Sequence, residues 1–421
     1  MKKGVIVSTL ALALSPFIAQ CDEMTQSAPT QEQITQLIDS HTRFGFSLYP
    51  QLDEQNSNLV FSPYSISSCL SMAYVGARDV TEQEMRQALE LNLSSKEIAA
   101  AYAKLNKILL PAHDKNSSEA NKKGYELNLA NALWLDQRSY ILSTYRSDIE
   151  TQFGAKVANV SFEQPDSTLA LINRWVSDQT RGRIPNLLTR NEITPSTRML
   201  LTNAAYFKGT FTHPFNPKKT HDEPFYTNST TTPSVKMMEQ TQFFGYADNE
   251  LFQAIALPFV GSSQGKGQIA FVAILPKSPE NFDALLGMMP DALNQTLEDL
   301  DGQRVHVQLP KFSLSKRYGI NDALQKLGMK NPFTTQANFS GIDGLMNLYI
   351  NQVVHETIFD LDENGVVAAA ATAASMNVTS MPPEGPPAEF IADHPFLFFI
   401  VDLKSQEVLF IGKFADPNDT L

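Results

Sequence analysis

Apolar and polar residues recur with a helical period in the first part of the chain and with a strand-like period in most of the rest. The spacing predicts a helix over residues 34–48, and helical patterning continues to about Thr151. A further helix is predicted to begin at Ser62-Pro63, because proline fits the first turn of a helix. The strand-like segments are residues 127–134, 199–207, 252–259, 268–275, 305–309, 350–360 and 396–402.

The order of these elements predicts one domain over residues 34–421. No internal repeat and no proline- or glycine-rich linker divides this part of the chain. Helical segments come first and strands dominate afterwards, which is typical of an α+β fold. The composition, with 43% hydrophobic and 19% charged residues, is ordinary for a globular protein.

One stretch departs from this pattern, because Glu384 is the only charged residue between Gly365 and Pro387. It begins with an alanine-rich run, which has an intrinsic preference for helix. The run nevertheless follows a strand-like segment directly and ends in two proline pairs, which favour an extended, exposed chain. Composition alone favours an alanine-rich linker or a surface helix here.

The first twenty residues have the pattern of an export signal: Lys2-Lys3, an apolar run over 5–14 and a break at Ser15-Pro16. The run is too short to span a bilayer as a permanent helix. With Cys21 following it, the segment resembles a bacterial lipoprotein signal, in which that cysteine is lipidated. Residues 21–33 are polar and are predicted to form a flexible tether. Plain secretion is the alternative, because Gln20 stands where such signals usually have a small residue.

The net charge of −12 argues against nucleic acid and heparin-like partners, since an acidic surface repels polyanions. The chain has no extended basic patch to offset this charge. The only cysteine besides Cys21 is Cys69, which lies in an apolar run and is predicted to be a buried structural thiol. With Cys21 lipidated, an intramolecular disulfide is excluded.

An enzyme is the main alternative class, because residues 261–265 match the G-x-S-x-G pattern of a serine nucleophile. That motif needs a strand–turn–helix setting, whereas here it lies between two strand-like segments and is predicted to be a hairpin turn. The seven histidines show no metal-binding spacing, and the chain has no phosphate-binding loop or dinucleotide fingerprint. We therefore predict a protein that is not an enzyme and has no cofactor.

Several separate motifs, in the same order, resemble those of the serpin family of serine protease inhibitors. The resemblance extends from about Thr35 to Pro417. The motifs are FIADHPFLFFI at 390–400, LFIGK at 409–413, NLVFSPYSI at 58–66, LTNAAYFKG at 201–209, VHVQLPKFS at 305–313 and VHETIFDLDENG at 354–365.

This resemblance implies a fold in which helices pack on a large, mostly antiparallel sheet A, with smaller sheets B and C and an exposed reactive-centre loop. It also implies a suicide mechanism: a protease cleaves the loop, is held as its acyl-enzyme, and is carried away when the loop inserts into sheet A as a new strand. The uncharged stretch after Gly365 suits a strand in the middle of a sheet, because no charge has to be buried there. A non-inhibitory serpin, acting as a carrier, chaperone or passive substrate, remains the alternative.

Three of the site residues that the resemblance implies depart from the family pattern. The family often has Thr or Ser and then Glu at the positions of Val366 and Val367, and it usually has Trp at the position of Phe211. The implied site residues form three groups. The loop hinge comprises Glu363, Gly365, Val366, Val367, Ala368, Ala369, Ala370 and Ala371. A polar cluster beneath the sheet, the shutter, comprises Ser62, Ser65, Asn203 and His355. A cluster where insertion begins, the breach, comprises Lys311, Glu363 and Phe211.

The bait is the residue before the bond that the protease cleaves. The distance along the chain from hinge to bait that is usual in the family places the cleaved bond at Thr379–Ser380, with Val378–Thr379 as the alternative. Thr and Val are small and β-branched, so they suit the shallow apolar pockets of elastase- or subtilisin-like proteases and not trypsin, which needs a cation. We expect a monomer whose partner is such a protease. It would be exported, as an outer-membrane or cell-surface lipoprotein, or otherwise as a periplasmic or secreted protein, with membrane contact only through a lipid on Cys21.

Overall fold

Helices occupy the N-terminal part of the chain and strands most of the remainder, as the hydrophobic pattern predicts. The computed structural model describes residues 28–54, 56–110, 125–227, 232–261, 269–366 and 385–421. The helices of these residues are α1 (Gln31–Leu52), α2 (Pro63–Gly76), α3 (Asp79–Ala88), α4 (Ser95–Leu109), α5 (Ser143–Asp148), α6 (Pro165–Gln179), α7 (Phe282–Met288), α8 (Asp291–Glu298), α9 (Asn321–Lys326) and α10 (Ser340–Asp343).

Each predicted strand segment is a strand, usually longer by one to four residues at its ends. The strands are β1 (Leu59–Phe61), β2 (Tyr125–Asp136), β3 (Lys156–Val160), β4 (Met199–Thr210), β5 (His221–Pro224), β6 (Ser234–Asp248), β7 (Phe252–Pro258), β8 (Ile269–Pro276), β9 (Asp301–Pro310), β10 (Phe312–Gly319), β11 (Ile350–Asp362), β12 (Gly365–Val366), β13 (Ala388–Ile391), β14 (Phe396–Asp402) and β15 (Glu407–Phe414).

The first helix begins earlier than its apolar pattern indicates. The Thr30 hydroxyl accepts from the amide of Gln33, and the Gln33 side chain accepts from the amide of Thr30, which together form a capping box. Helix α1 therefore starts at Gln31, inside the predicted tether of 21–33, because this cap satisfies free amides of the first turn. Among the described residues, no helix is both long and apolar enough to cross a membrane.

Among the described residues, six strands form sheet A, in the order β10-β11-β12-β4-β2-β3. Most neighbours are antiparallel, but β4 and β11 run parallel, as do β2 and β3. A second sheet has the order β1-β15-β14-β8-β7-β6-β9-β13, with β5 paired to β6. The two smaller sheets of the prediction are thus continuous through the long strand β6, which pairs with β9 over most of its length and with β7 at its end.

The core lies between the two sheets, with helix α2 inside it. Ser62 caps α2 and Pro63 opens it, as predicted, and the helix contacts β2 and β4 on one side and β15 on the other. Cys69 is fully buried in this helix, and burial raises the pKa of its thiol well above the usual range. On the opposite face of sheet A, α6 and the segment after it cover a smaller apolar cluster around Trp134.

The G-x-S-x-G segment lies in a hairpin setting. Strands β7 and β8 pair antiparallel on either side of it, from Phe252 opposite Pro276 to Pro258 opposite Ala270. Gly261 is in a turn with φ of 80°, and residues 262–265 lie outside the described residues. Two directly paired antiparallel strands do not provide the strand–turn–helix geometry that a serine nucleophile of this kind needs.

Candidate functional site

The candidate site is the boundary between β4 and β11 in the middle of sheet A. The two strands pair directly from Met199 opposite Ile350 up to Tyr206 opposite Ile358. Above Tyr206 they diverge, and the short strand β12 lies between them. Val366 of β12 pairs with Leu361 on one side and with Gly209 on the other.

Gly365 makes this arrangement possible, because no side chain fits at its position. Its φ is 139°, in the region that favours glycine. A Cβ atom there would lie 2.1 Å from the carbonyl oxygen of Gly209. The chain therefore turns from β11 back into sheet A at Gly365, which is the predicted hinge residue.

The neighbouring residues hold the hinge in place. The amide of Phe211 donates to the carbonyl of Asn364 (2.7 Å), and the amide of Phe215 donates to the carbonyl of Glu363 (2.8 Å). The Phe211 ring is buried and stacks on Phe259, with ring centroids 5.3 Å apart and an interplanar angle of 6°. An apolar ring stack thus fills the position behind the hinge where the family pattern has Trp.

Glu363 is buried at the start of the hinge and has two side-chain partners. Lys311 donates to its Oε2 (2.9 Å) and Thr220 donates to its Oε1 (2.8 Å). Burial alone would raise the pKa of Glu363, but hydrogen bonds from Lys311, from its own backbone amide and from Thr220 outweigh it and hold that pKa below its usual value. The predicted breach residues therefore lie together, and the structure adds Thr220 to them.

Further down the boundary, a buried polar contact joins the two strands directly. His355 of β11 lies opposite Asn203 of β4, and its Nδ1 donates to the Asn203 Oδ1. The His355 Nε2 accepts from the amide of Ser62 (3.2 Å) and from the hydroxyl of Thr357 (3.0 Å). Any separation of β4 from β11 has to break the contact between His355 and Asn203.

The same network continues into helix α2 and strand β2. The Asn203 amide donates to the carbonyl of Ser65 (3.0 Å) and to the Asn131 Oδ1. The Ser62 hydroxyl donates to the carbonyl of Leu409 (2.6 Å) and caps the amide of Ser65. The four predicted shutter residues are thus brought together. Asn131 was missed by sequence reasoning, although its signal was a polar residue in the middle of an apolar strand.

His355 is neutral in this network. Burial lowers its pKa to about 3, because charging a fully buried imidazole costs solvation energy. Its Nε2 accepts two hydrogen bonds and so has no room for a proton. The boundary is therefore closed by neutral hydrogen bonds at its centre, whereas the ion pair between Lys311 and Glu363 lies at its top on the side of β10 and β11.

The remaining predicted site residues lie outside the described residues. These are Val367, Ala368, Ala369, Ala370, Ala371, Val378, Thr379, Ser380 and Cys21.

Comparison with known proteins relates nearly the whole chain to one family. A family model described as Serpin (serine protease inhibitor) matches residues 39–417. A leukocyte elastase inhibitor of Bos taurus is 35% identical over 398 residues, covering 91% of this chain and 100% of the relative. An uncharacterized serpin-like protein of Thermococcus kodakarensis is 35% identical over 386 residues, covering 91% of this chain and 86% of the relative.

A solved structure shares the same architecture. The chain is similar to Serpin48 of the insect Tenebrio molitor, described as a highly specific serpin, with a TM-score of 0.77 and 27% identity. The match covers 92% of this chain and 98% of that structure. These relatives are serpins, and the matched family model is one of protease inhibitors and not of enzymes.

Proposed function

The chain belongs to the serpin family of serine protease inhibitors, and from this premise we propose that it traps its target protease by a suicide-substrate mechanism. The protease cleaves the loop after β12 and forms an acyl-enzyme. The freed loop then separates β4 from β11 and inserts between them, and the bound protease is carried along. The observation that carries this proposal is the docking of β12 between β4 and β11 at the top of a closed boundary.

The register of β12 supports a full-length insertion. Val366 lies opposite Gly209 and Leu361, so the same antiparallel register would place Thr372 opposite Asn203 and His355. Met376 would then reach Met199, the first residue of β4, and Asn351 of β11. The bond after Thr379 would lie just beyond the far edge of sheet A, on the order of 40 Å from Val366 at about 3.3 Å per residue.

The composition of the loop fits the two faces of this gap. Residues 366, 368, 370, 372, 374 and 376 would face the core between the sheets, because Val366 is buried there and strand side chains alternate. The neighbours of position 368 in this register, Phe207 and Phe359, are completely buried. The core-facing loop residues are Val, Ala, Ala, Thr, Ala and Met, none of which is charged.

The energy of insertion is sufficient to make the step irreversible. A strand from Val366 to Met376 would replace the single β4–β11 ladder by two ladders, a net gain of about a dozen backbone hydrogen bonds. At about 1 kcal/mol each, these contribute on the order of 10 kcal/mol. This is comparable to the stability of a whole domain.

The bait residues indicate the class of target. We propose cleavage at Thr379–Ser380, or one residue earlier at Val378–Thr379, by an elastase- or subtilisin-like protease. The similarity to a leukocyte elastase inhibitor supports the same class. We also propose that the protein is exported, with lipidation at Cys21, which a Cys21→Ala variant would test by loss of membrane association.

The test is to mix the protein with pancreatic elastase and with a subtilisin, each also in an active-site-blocked form as control. We expect a covalent adduct that survives denaturing electrophoresis with the active enzymes only, and a released peptide that begins at Ser380 or Thr379. Cleavage within the loop that leaves the protease free and active would instead indicate a non-inhibitory serpin. In that case, an unchanged thermal midpoint after cleavage would also exclude loop insertion.

A further inference from the structure

The segment after α6 crosses the boundary that must open. It runs over the face of sheet A that is opposite the main core, where Ile184 and Leu187 pack with residues of β2, β4 and β11. Its direction is set by a tight turn, with Arg181 at φ of 54° and Gly182 at φ of 77°. We call residues 181–192 the strap.

The two ends of the strap are tied to opposite sides of the boundary. Arg181 contacts Glu126 of β2, with 2.6 Å between Nη1 and Oε2, on the β4 side. At the other end, Arg317 of β10 donates to the carbonyl of Leu187 and to the carboxylate of Glu192, both at 2.5 Å, on the β11 side. Strand β2 moves with β4 and strand β10 moves with β11, since each pair shares a long antiparallel ladder.

The side chain of Arg183 makes polar contacts with both strands. Its guanidinium lies over the ring of Tyr206 of β4, 5.6 Å from the centroid, and its Nη1 is 3.7 Å from the Oδ2 of Asp360 of β11. Tyr206 is the last β4 residue paired directly with β11. An inserted strand would add about 4.8 Å between β4 and β11. A single guanidinium cannot follow both partners, so it has to release one of them.

We propose that Arg183 is a positioning residue that controls the rate of loop insertion, by bridging β4 and β11 while sheet A is closed. This inference rests on the proposed function. The bridge that its two contacts form exists in the closed state and is broken on opening, so removing the bridge lowers the barrier. An exposed ion pair and a cation–π contact of this kind together correspond to about a three- to tenfold change in rate.

The test measures insertion without a protease. A synthetic peptide with the sequence of residues 366–379 is incubated with the intact protein, and the rate of complex formation is followed by native electrophoresis and by the rise in thermal midpoint. We expect Arg183→Gln and Asp360→Asn to accept the peptide about three- to tenfold faster than the wild type. The double variant should be no faster than Arg183→Gln by itself, because both changes remove the same bridge.

Arg181→Gln is the matched control, because its contact with Glu126 stays on one side of the boundary. The contact between Arg181 and Glu126 is also shorter than the one between Arg183 and Asp360. If the two arginines only stabilised the fold, Arg181→Gln would therefore change the rate of peptide uptake more than Arg183→Gln. Equal rates for Arg183→Gln and the wild type, or equal acceleration by Arg181→Gln, would overturn the proposal. If the wild type takes up no peptide, loop insertion itself fails, and the proposed mechanism is overturned together with this inference.

Discussion

The register of the inserted strand can be tested by placing glutamate separately at two neighbouring positions, Ala368 and Val367, whose side chains would point to opposite faces of sheet A. Extension of the β12 register places Ala368 between Phe207 and Phe359, which are fully buried. Val367 would lie between Lys208 and Asp360, whose side chains are partly exposed. Glutamate at position 368 has to be buried, whereas glutamate at position 367 would lie beside a lysine.

The cost at position 368 follows from the ionisation of the new side chain. A carboxyl with an ordinary pKa near 4.3 must be protonated to enter such a site, which costs about 4 kcal/mol at pH 7. If a third to a half of this cost is felt in the transition state for insertion, insertion slows by roughly ten- to thirtyfold. Hydrolysis of the acyl-enzyme is unaffected, so more of the inhibitor is consumed as substrate.

The assay titrates elastase or a subtilisin with each variant and measures the ratio of cleaved inhibitor to covalent complex. We expect this ratio to rise about ten- to thirtyfold for Ala368→Glu and less than twofold for Val367→Glu, because the ratio is inversely proportional to the rate of insertion. Two results would contradict insertion in this register: an Ala368→Glu variant that traps protease like the wild type, or an equal loss of trapping in both variants. Either would mean that the loop does not enter sheet A in the register of β12.

Three further predictions concern the hinge, the shutter and the bait. Gly365→Ala should lower the thermal midpoint by about 2 °C more than Gly385→Ala. Both glycines have φ near 137°, but only at Gly365 would a Cβ atom come into contact with other atoms, which adds about 2 kcal/mol to the loss of folding free energy. Equal shifts in the thermal midpoint would contradict the close contact with Gly209. Because the folded-state pKa of His355 is lowered from 6.5 to about 3, the unfolded chain binds a proton there that the folded protein does not, so stability should fall as pH decreases through this window. Thermal midpoints measured across it should fall less steeply for His355→Asn than for the wild type, and parallel profiles would exclude this role. Thr379→Arg should create inhibition of trypsin, measured as a covalent adduct, because trypsin needs a cation in its specificity pocket. Cleavage after the new arginine that leaves trypsin free and active would show that Thr379 is not the bait residue.

Much of the fold was predictable because its signals are local. The serine and proline that start α2 are adjacent in the chain, and the alternation that marks strands such as β8 and β14 needs only a few residues to recognise. Gly365 could be identified as the hinge because it stands directly between a strand and an uncharged stretch. The ordered motifs added the family, and with it the roles expected of Asn203 and His355.

Other features depend on contacts between residues that are distant in the chain. Alternation predicts that β4 and β11 are strands, but it does not say that they pair in parallel, or that Asn203 meets His355 across 152 positions. Asn131 joins the shutter only because β2 pairs with β4 in one register. Likewise, the sequence does not distinguish Arg183 from an ordinary surface arginine.

The identity of the helices, the strands and the expected hinge could therefore be predicted, because each depends on residues that are neighbours in the chain. Which strands lie side by side, and which side chains cross the boundary between them, depends on the fold. A free-energy barrier to opening sheet A belongs to the second kind of property, since it is the sum of contacts made across β4 and β11. Residues such as Phe211, Thr220 and Arg183 take their roles only from what the fold places beside them.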